Sequence, residues 1–278
     1  MLRRASSPML LPTTKSIRRL ESASVGAPRR AIRCLADLVF PYSCLGCEGE
    51  PASEASAFCV NCETSLQAER SFAACPACSA TVAPFEVADG RCRHCRKDAQ
   101  TLDGCVRAGP YAGLFGHLLR RFKFQNREEL ADFMADALAV AVKSAKWLER
   151  VDGVAPVPTH WRRRVTRTYY PAQVLARLVA NQIECPFVPL LRRTRAGPHQ
   201  IGLSPTARLA NVRGAFALRS GVILKGAKIL LVDDVRTTGA TLGECSKVLR
   251  KEGASEVYAA VAVRVEPIHS GSDVLQSI

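Results

Sequence analysis

Eight of the twelve cysteines in this 278-residue chain stand in four C-x-x-C pairs. Two residues between paired cysteines allow a tight turn to direct both sulfurs at one ion, and four sulfurs complete a tetrahedral zinc shell. By spacing, the pairs form C-x2-C-x11-C-x2-C and C-x2-C-x13-C-x2-C, with the candidate ligands Cys44, Cys47, Cys59 and Cys62, and then Cys75, Cys78, Cys92 and Cys95. The pattern predicts two structural Zn²⁺ sites in a tandem zinc ribbon.

Other uses of these cysteines fit less well. Redox C-x-x-C motifs occur singly near a βαβ unit, which four pairs in one short segment do not resemble. A shell of four thiolates has no open position, so the metal is expected to be structural and not catalytic. Interleaved pairing stays open beside sequential pairing, as does replacement of one cysteine by His94. Small buried side chains are expected for the single cysteines, Cys34, Cys105, Cys185 and Cys245.

A second kind of chemistry is indicated by the segment ILLVDDVRTTGAT, residues 229–241. Its apolar start predicts a strand, and two acids follow at the carboxyl end, where open α/β sheets bind ligands. A turn of threonine and glycine then opens a helix, whose first N–H groups form an anion site. Because carboxylates repel a phosphate but accept hydrogen bonds from a diol, the segment predicts a sugar 5-phosphate ligand.

The same segment resembles the signature of type I phosphoribosyltransferases, which bind 5-phosphoribosyl 1-pyrophosphate (PRPP). The resemblance implies that Asp233 and Asp234 hold the ribose 2′ and 3′ hydroxyls as catalytic residues. It also implies that the following turn wraps the 5′-phosphate with Val235, Arg236, Thr237, Thr238, Gly239, Ala240 and Thr241. A plain strand, turn and helix with an accidental acidic pair is the alternative.

Further segments narrow the resemblance to the ComF-type proteins of bacteria, phosphoribosyltransferase-domain proteins of which some are linked to DNA uptake. Besides the zinc-ribbon front, the matching segments are Phe122-Lys-Phe, Ala155-Pro-Val-Pro and Gln200…Leu203…Arg208…Asn211-Val-Arg-Gly-Ala-Phe216. One run departs from the family, whose Arg-Gly-Phe-Asn-Gln pattern is replaced here by Arg167-Thr-Tyr-Tyr-Pro-Ala-Gln173. Since only Arg167 and an aromatic at Tyr169 match, a rearranged pyrophosphate loop is expected.

The resemblance also implies that Mg²⁺ bridges pyrophosphate and ribose oxygens and neutralises charge. Arginines that follow a predicted strand end could meet the pyrophosphate, namely Arg162, Arg163, Arg164 and Arg167. A solvated basic loop is the plainer interpretation of the same arginines, and Lys123 is a weaker candidate. No residue pattern identifies the acceptor of the phosphoribosyl group.

Alternating strand and helix signals predict an α/β fold with a parallel sheet flanked by helices. Strands are predicted at Asp152–Pro158, Phe187–Leu191, Lys228–Val232 and Val257–Val263. Helices are predicted from Leu114, from near Arg127, at Pro171–Gln182, as a turn at Pro205–Asn211, and at Ala240–Lys251 with Gly253 as its cap. A short apolar helix is expected at residues 34–43.

The formal charge of +14 is concentrated in two stretches. Residues 1–30 carry seven basic side chains against one acid, and residues 160–220 carry eleven arginines against one acid. The apolar content of 47% excludes a wholly disordered chain. We therefore expect a basic flexible tail over 1–33, a double zinc ribbon over 34–104 and a phosphoribosyltransferase-like domain over 105–278.

Three functions are compatible with these features. The first is a PRPP-dependent transferase or sensor, with PRPP or a related sugar phosphate as ligand. The second is a nucleic-acid-associated protein that meets single- or double-stranded DNA, or a DNA-uptake or helicase partner, with a non-catalytic PRPP site. The third is a zinc-ribbon adaptor for other proteins. No run of about 18 uncharged apolar residues exists, and no secretory h-region is evident. A bacterial cytoplasmic location is expected, with organellar targeting by the basic tail as the minor alternative.

Overall fold

The computed structural model describes residues 43–53, 56–83, 85–96, 101–125, 127, 129–158, 170–195, 210 and 212–266. These residues fall into two compact units, 43–68 and 69–266. The second cysteine tetrad therefore lies in the same unit as the sheet, whereas the sequence placed a boundary after residue 104. The basic tail and nearly all of the helices predicted at 34–43 and Pro205–Asn211 lie outside the described residues.

The cysteine-rich part of the chain contains little regular structure. Helix α1 spans Val60–Ser71, strands β1 (Val87–Ala88) and β2 (Arg91–Cys92) pair in an antiparallel hairpin, and the single turn α2 spans Arg93–Arg96. Such short elements bury too little apolar surface to hold a fold alone, so a staple is required.

The remaining elements alternate between strands and helices. In chain order they are β3 (Gly104–Pro110), α3 (Leu114–Phe124), α4 (Glu129–Lys143), a 3₁₀ turn (Leu148–Arg150), β4 (Gly153–Pro156), α5 (Pro171–Gln182), β5 (Leu191–Arg193), β6 (Phe216–Leu218), β7 (Lys228–Arg236), α6 (Ala240–Lys251) and β8 (Glu256–Arg264). Four strands form a parallel sheet in the order β3-β8-β7-β4, and β5 pairs with β6 in a separate antiparallel hairpin. The predicted α/β class and parallel sheet are confirmed.

Buried strands fix the centre of this sheet. Ile229 and Leu231 of β7 share one core cluster with Val257 and Ala259 of β8, beneath α6 and the β5–β6 hairpin. Because side chains alternate along a strand, the intervening Leu230 faces the other side of the sheet, where α3, α4 and α5 pack. Burial on both faces explains the continuous apolar sequence of these strands.

Two predicted strands have different bounds in the structure. Strand β4 ends at Pro156 and not at Pro158. The N–H of Val157 still donates to Val232 at 2.9 Å, but Pro158 supplies no N–H to continue the ladder. In the segment predicted as a strand at Phe187–Leu191, only Phe187 bridges Val154, and pairing resumes at Leu191 after Pro189. The same lack of an N–H at Pro189 accounts for the interruption.

The predicted end of α6 is confirmed. Gly253 has a φ of 100°, a left-handed conformation that glycine adopts without steric cost. Its N–H donates to the carbonyl of Arg250 at 3.1 Å, and the N–H of Ala254 donates to that of Leu249 at 2.9 Å. This pair of bonds is a Schellman cap. Among the helices in the described part of the chain, none is long and apolar enough to cross a membrane.

The packing of α4 on the sheet can be tested with two neighbouring side chains. Leu138 is fully buried, whereas Val140 on the same helix is 63% exposed. We expect L138A to lower the free energy of unfolding by about 2–5 kcal/mol, because it leaves a cavity. The control V140A should change it by less than about 0.5 kcal/mol. Denaturant titration measures both, and equal effects would contradict the described packing.

Candidate functional site

The eight paired cysteines form two tetrads in the sequential order. Within each tetrad, the four sulfurs all lie within 4.8 Å of one another. Representative sulfur–sulfur distances are 3.7 Å between Cys47 and Cys59 and 3.6 Å between Cys78 and Cys92. Sulfurs bound at about 2.3 Å to a tetrahedral ion are roughly 3.8 Å apart, while a disulfide would bring them to about 2.05 Å. The tetrads therefore fit a tetrahedral metal ion.

Backbone donors support the first tetrad. The N–H groups of Gly46 and Cys59 donate to the sulfur of Cys44 at 3.3 and 3.2 Å. Burial opposes ionisation of Cys44, but hydrogen bonds from the backbone at Cys47, Cys59 and Gly46 outweigh it and lower its pKa to about 6. The Cys44 sulfur is thus prepared to act as a thiolate, the form that binds metal.

The second tetrad is buried at every ligand, with exposures from 0% to 2%. A hydrogen bond from the Cys78 thiol, together with backbone donors, lowers the pKa of Cys75 to about 4. The same interaction and burial raise the pKa of Cys78. His94 lies between two ligands in sequence but outside the tetrad, so replacement of a cysteine by histidine is not observed.

This second tetrad packs directly against the sheet. The N–H of Cys105, at the start of β3, donates to the carbonyl of Pro76 at 2.8 Å, and its thiol donates to the hydroxyl of the fully buried Ser79 at 3.4 Å. Thr81 donates through its N–H to Glu266 at 3.0 Å, and Glu266 pairs with Arg107 at 2.5 Å. A partly buried network of hydrogen bonds and one ion pair thus joins the ribbon to β3 and to the residue Glu266 that follows β8.

The segment between β7 and α6 has local geometry of the kind that the predicted anion site requires. Gly239 has a φ of 83° and, as the N-cap residue of the helix, provides no side chain to cap the helical N–H groups. The N–H of Ala240 has only a long contact, 3.3 Å, to the Thr238 hydroxyl. These first N–H groups and the positive end of the helix dipole are suited to a phosphate. The left-handed φ at residue 239 favours glycine, and a Cβ there would also lie 3.1 Å from the guanidinium of Arg236.

The acidic pair stands at the carboxyl end of β7, within the strand that the sequence ended at Val232. The N–H of Asp234 donates to Asp233 at 2.8 Å, and the Asp234 carboxylate pairs with Lys123 of α3 at 2.8 Å. Burial and the charge of Asp234 raise the pKa of Asp233 well above the usual carboxyl value. The two acids therefore differ. Asp234 has a cationic partner on α3, whereas the surroundings of Asp233 favour its neutral form.

The importance of Lys123 was underestimated from the sequence. It was a weak pyrophosphate candidate, yet the structure sets it on Asp234 with only 17% of its side chain exposed. The available signal was the Phe122-Lys-Phe match, in which a single cation stands between two aromatic residues. Of the single cysteines, Cys105 and Cys245 are buried as predicted, and Cys185 is half-buried. Cys34 lies outside the described residues.

The arginines predicted to meet pyrophosphate, Arg162, Arg163, Arg164 and Arg167, lie outside the described residues. The segments on either side of them, near Pro158 and Tyr170, form part of a cleft that Leu191 and Arg219 also line. Since Pro156 pairs in register with Val232, the cleft adjoins the strand that carries the acidic pair. The candidate site is therefore the carboxyl edge of β4 and β7.

Comparison with known proteins adds independent findings. A family model described as "Phosphoribosyl transferase domain" matches residues 171–271. Competence protein F of Haemophilus influenzae is 31% identical over 223 residues, which cover 78% of this chain and 95% of the relative. DNA utilization protein YhgH of Escherichia coli is 28% identical over 79% of this chain and 96% of its own.

Among solved structures, the adenine phosphoribosyltransferase of Leishmania tarentolae is 18% identical over 49% of this chain and 58% of its own, with a TM-score of 0.32. The identification rests on the sequence relatives, whose similarity covers 78–79% of this chain. With two cysteine tetrads before a phosphoribosyl transferase domain, and with Competence protein F alike over nearly its whole length, this chain belongs to the ComF-type family.

Proposed function

We propose that the chain binds PRPP with Mg²⁺ at the carboxyl end of β7 and transfers or senses its phosphoribosyl group. One observation carries this proposal: adjacent carboxylates lie at the carboxyl end of β7, and a turn with a left-handed glycine then leads into the N-terminus of α6. A small ligand with an anionic group at one end and a diol at the other matches this arrangement: the helix N-terminus suits the anion, and the carboxylates suit the diol. The match of a phosphoribosyl transferase domain to this region supports it.

In this proposal the turn from Thr237 to Thr241 receives the 5′-phosphate through backbone N–H and hydroxyl donors. The ribose hydroxyls donate to Asp233 and Asp234, as the resemblance implies. Each such bond to an ionised carboxylate is worth about 1.5–3 kcal/mol. Lys123 positions Asp234 through an ion pair, because the ammonium group is 2.8 Å from the carboxylate.

Departure of pyrophosphate from ribose C1 requires stabilisation of the negative charge that develops on the leaving group. Arg162, Arg163, Arg164 and Arg167 are proposed for this task, with Arg167 nearest in sequence to the start of α5. Mg²⁺ held by pyrophosphate and ribose oxygens would neutralise further charge. Zn²⁺ in both tetrads is proposed as structural, because four thiolates leave no coordination position for substrate. A cytoplasmic location is proposed from the bacterial relatives.

DNA is the second candidate ligand. Relatives carry the names Competence protein F and DNA utilization protein YhgH, and four described arginines of the basic stretch are exposed: Arg192, Arg195, Arg213 and Arg219. Exposed arginines can neutralise phosphates of a nucleic acid without reading its bases. In this alternative the PRPP site is a sensor or is non-catalytic.

PRPP binding is tested by calorimetric titration of the full chain with PRPP and Mg²⁺. The double variant D233N/D234N should bind at least about tenfold more weakly, since it loses charged acceptors of the ribose hydroxyls. The control D132N removes an exposed carboxylate from α4 and should bind like the wild type. Equal heats for the wild type and the double variant would contradict the proposal.

The raised pKa of Asp233 predicts that replacing this carboxylate stabilises the fold, although it weakens ligand binding. A raised folded-state pKa means that ionisation of Asp233 destabilises the fold as the pH rises. D233N should therefore raise the Tm at pH 8, and the gain should shrink as the pH falls toward the ordinary carboxyl range. D234N should not raise the Tm, because it breaks the pair with Lys123. Thermal unfolding followed by circular dichroism measures both, and a D233N variant without added stability would refute this account of the site.

DNA binding is tested by fluorescence anisotropy with single- and double-stranded oligonucleotides over a series of salt concentrations. If the basic stretch contacts DNA phosphates, the logarithm of the DNA association constant should fall by about 0.7–0.9 per contact for each tenfold rise in salt concentration. The double variant R192A/R213A should reduce this salt dependence by an amount that corresponds to roughly two phosphate contacts. The control R91A, an exposed arginine of the second ribbon, should leave the slope unchanged. A response independent of salt would count against DNA as a ligand.

A further inference from the structure

Helix α3, which carries Lys123, has its N-terminus capped by a residue of α1. Its own N-cap position is Gly113, which has no side chain to serve as a cap. The N–H groups of Leu114 and Phe115 instead donate to the two carboxylate oxygens of Glu69, at 2.6 and 3.0 Å. These are the first N–H groups of the helix, for which no intrahelical acceptor exists. A carboxylate there also meets the positive end of the helix dipole.

The contact between α1 and the start of α3 is closely fitted. A Cβ at residue 113 would collide with Oε1 of Glu69, so the carboxylate occupies space that a glycine leaves open. The neighbouring Arg70 places its guanidinium 5.5 Å from the ring centroids of Phe115 on α3 and Phe133 on α4. Two successive residues of α1 therefore hold the start of α3, one through its backbone and the other through a ring.

The other end of α3 reaches the acidic pair. The ammonium group of Lys123 lies 2.8 Å from the carboxylate of Asp234. Between the two ends, Phe115 and Phe122 are fully buried, so the apolar face fixes which side of the helix packs on the sheet. The polar contacts at the two ends, with Glu69 and with Asp234, then fix the position of the helix along its own axis.

Glu69 lies between the two cysteine tetrads in the sequence, after Cys62 and before Cys75. The cysteine-rich part of the chain thus supplies a contact to the helix that serves the candidate sugar-phosphate site. We propose that Glu69 is a positioning residue for the acidic pair: it holds the N-terminus of α3 and thereby sets the place of Lys123 against Asp234. The expected effect on PRPP rests on the proposed function, whereas the coupling between Glu69 and Lys123 does not.

Thermal unfolding of the full chain tests this coupling without any ligand. The rise of a helix places Leu114 and Lys123 roughly 13 Å apart along the axis of α3. Substitutions more than about 10 Å apart and without a shared partner usually have additive effects on stability. We expect K123M to lower the Tm less in the E69A background than in the wild type, because E69A has already displaced Lys123 from Asp234. E69Q keeps an oxygen acceptor at the helix N-terminus and should depart less from additivity.

The control for this cycle is E63Q. It removes a carboxylate from the same helix, where Glu63 accepts a hydrogen bond from Gln67 at 3.3 Å. K123M should lower the Tm equally in E63Q and in the wild type. Additive losses for K123M and E69A would overturn the positioning role. If E69A does not fold, additive losses for K123M and E69Q would overturn it.

Titration with PRPP and Mg²⁺ tests the effect on the site. E69A should bind PRPP about tenfold more weakly than E63Q, a size that coupling through a shared network reaches, and E69Q should lie between them. K123M should also bind weakly. The double variant E69A/K123M should bind no more weakly than K123M, because both changes disturb the same ion pair. A general loss of stability would not produce this non-additive pattern.

Two results of the titration would overturn the proposal. One is a double variant that is weaker than K123M by the whole factor measured for E69A, which would mean that Glu69 acts by another route. The other is wild-type PRPP affinity in both E69A and E69Q while K123M binds weakly. If the wild type itself does not bind PRPP, the proposed function fails, and the Tm losses still decide whether Glu69 positions Lys123.

Discussion

The parallel pairing of β7 between β8 and β4 determines where every candidate ligand group stands. Residues 228–236 pair with β8 along the strand, and residues 229–232 also pair with β4 and are buried on both faces of the sheet. The strand therefore cannot slip by one residue without moving Ile229 and Leu231 out of the core. With that register fixed, Asp233, Asp234 and the turn at Gly239 must emerge together at the carboxyl edge of the sheet.

Stability and ligand binding make opposite demands at this edge. Asp233 is pressed toward its neutral form by burial and by Asp234, which is unfavourable for the fold. Such uncompensated groups are common where a ligand is to be bound, because the ligand supplies the missing partner. Lys123 pairs directly with Asp234, and its charge only partly offsets the effect of burial on Asp233. The site thus carries unpaired hydrogen-bonding capacity of the kind that a diol can satisfy.

The sequence predicted the local features well. Spacing alone grouped the eight cysteines, and strand, glycine and helix signals located β7, α6 and its cap at Gly253. The misplaced end of β4 and the break before Leu191 both arise at prolines, whose effect on a ladder depends on the neighbouring strand. What could not be predicted depends on contacts between distant segments. Examples are the pair of Lys123 with Asp234 and the attachment of the second tetrad through Thr81 and Glu266.

Hydrogen–deuterium exchange with and without PRPP and Mg²⁺ tests the central claim most directly, because it locates the ligand on the chain. The account predicts that added PRPP slows exchange of the amides at residues 237–241, at the N-terminus of α6, while amides of the exposed arginine stretch at 192–195 change little. Protection confined to other segments, or none at residues 237–241 at saturating PRPP, would contradict it.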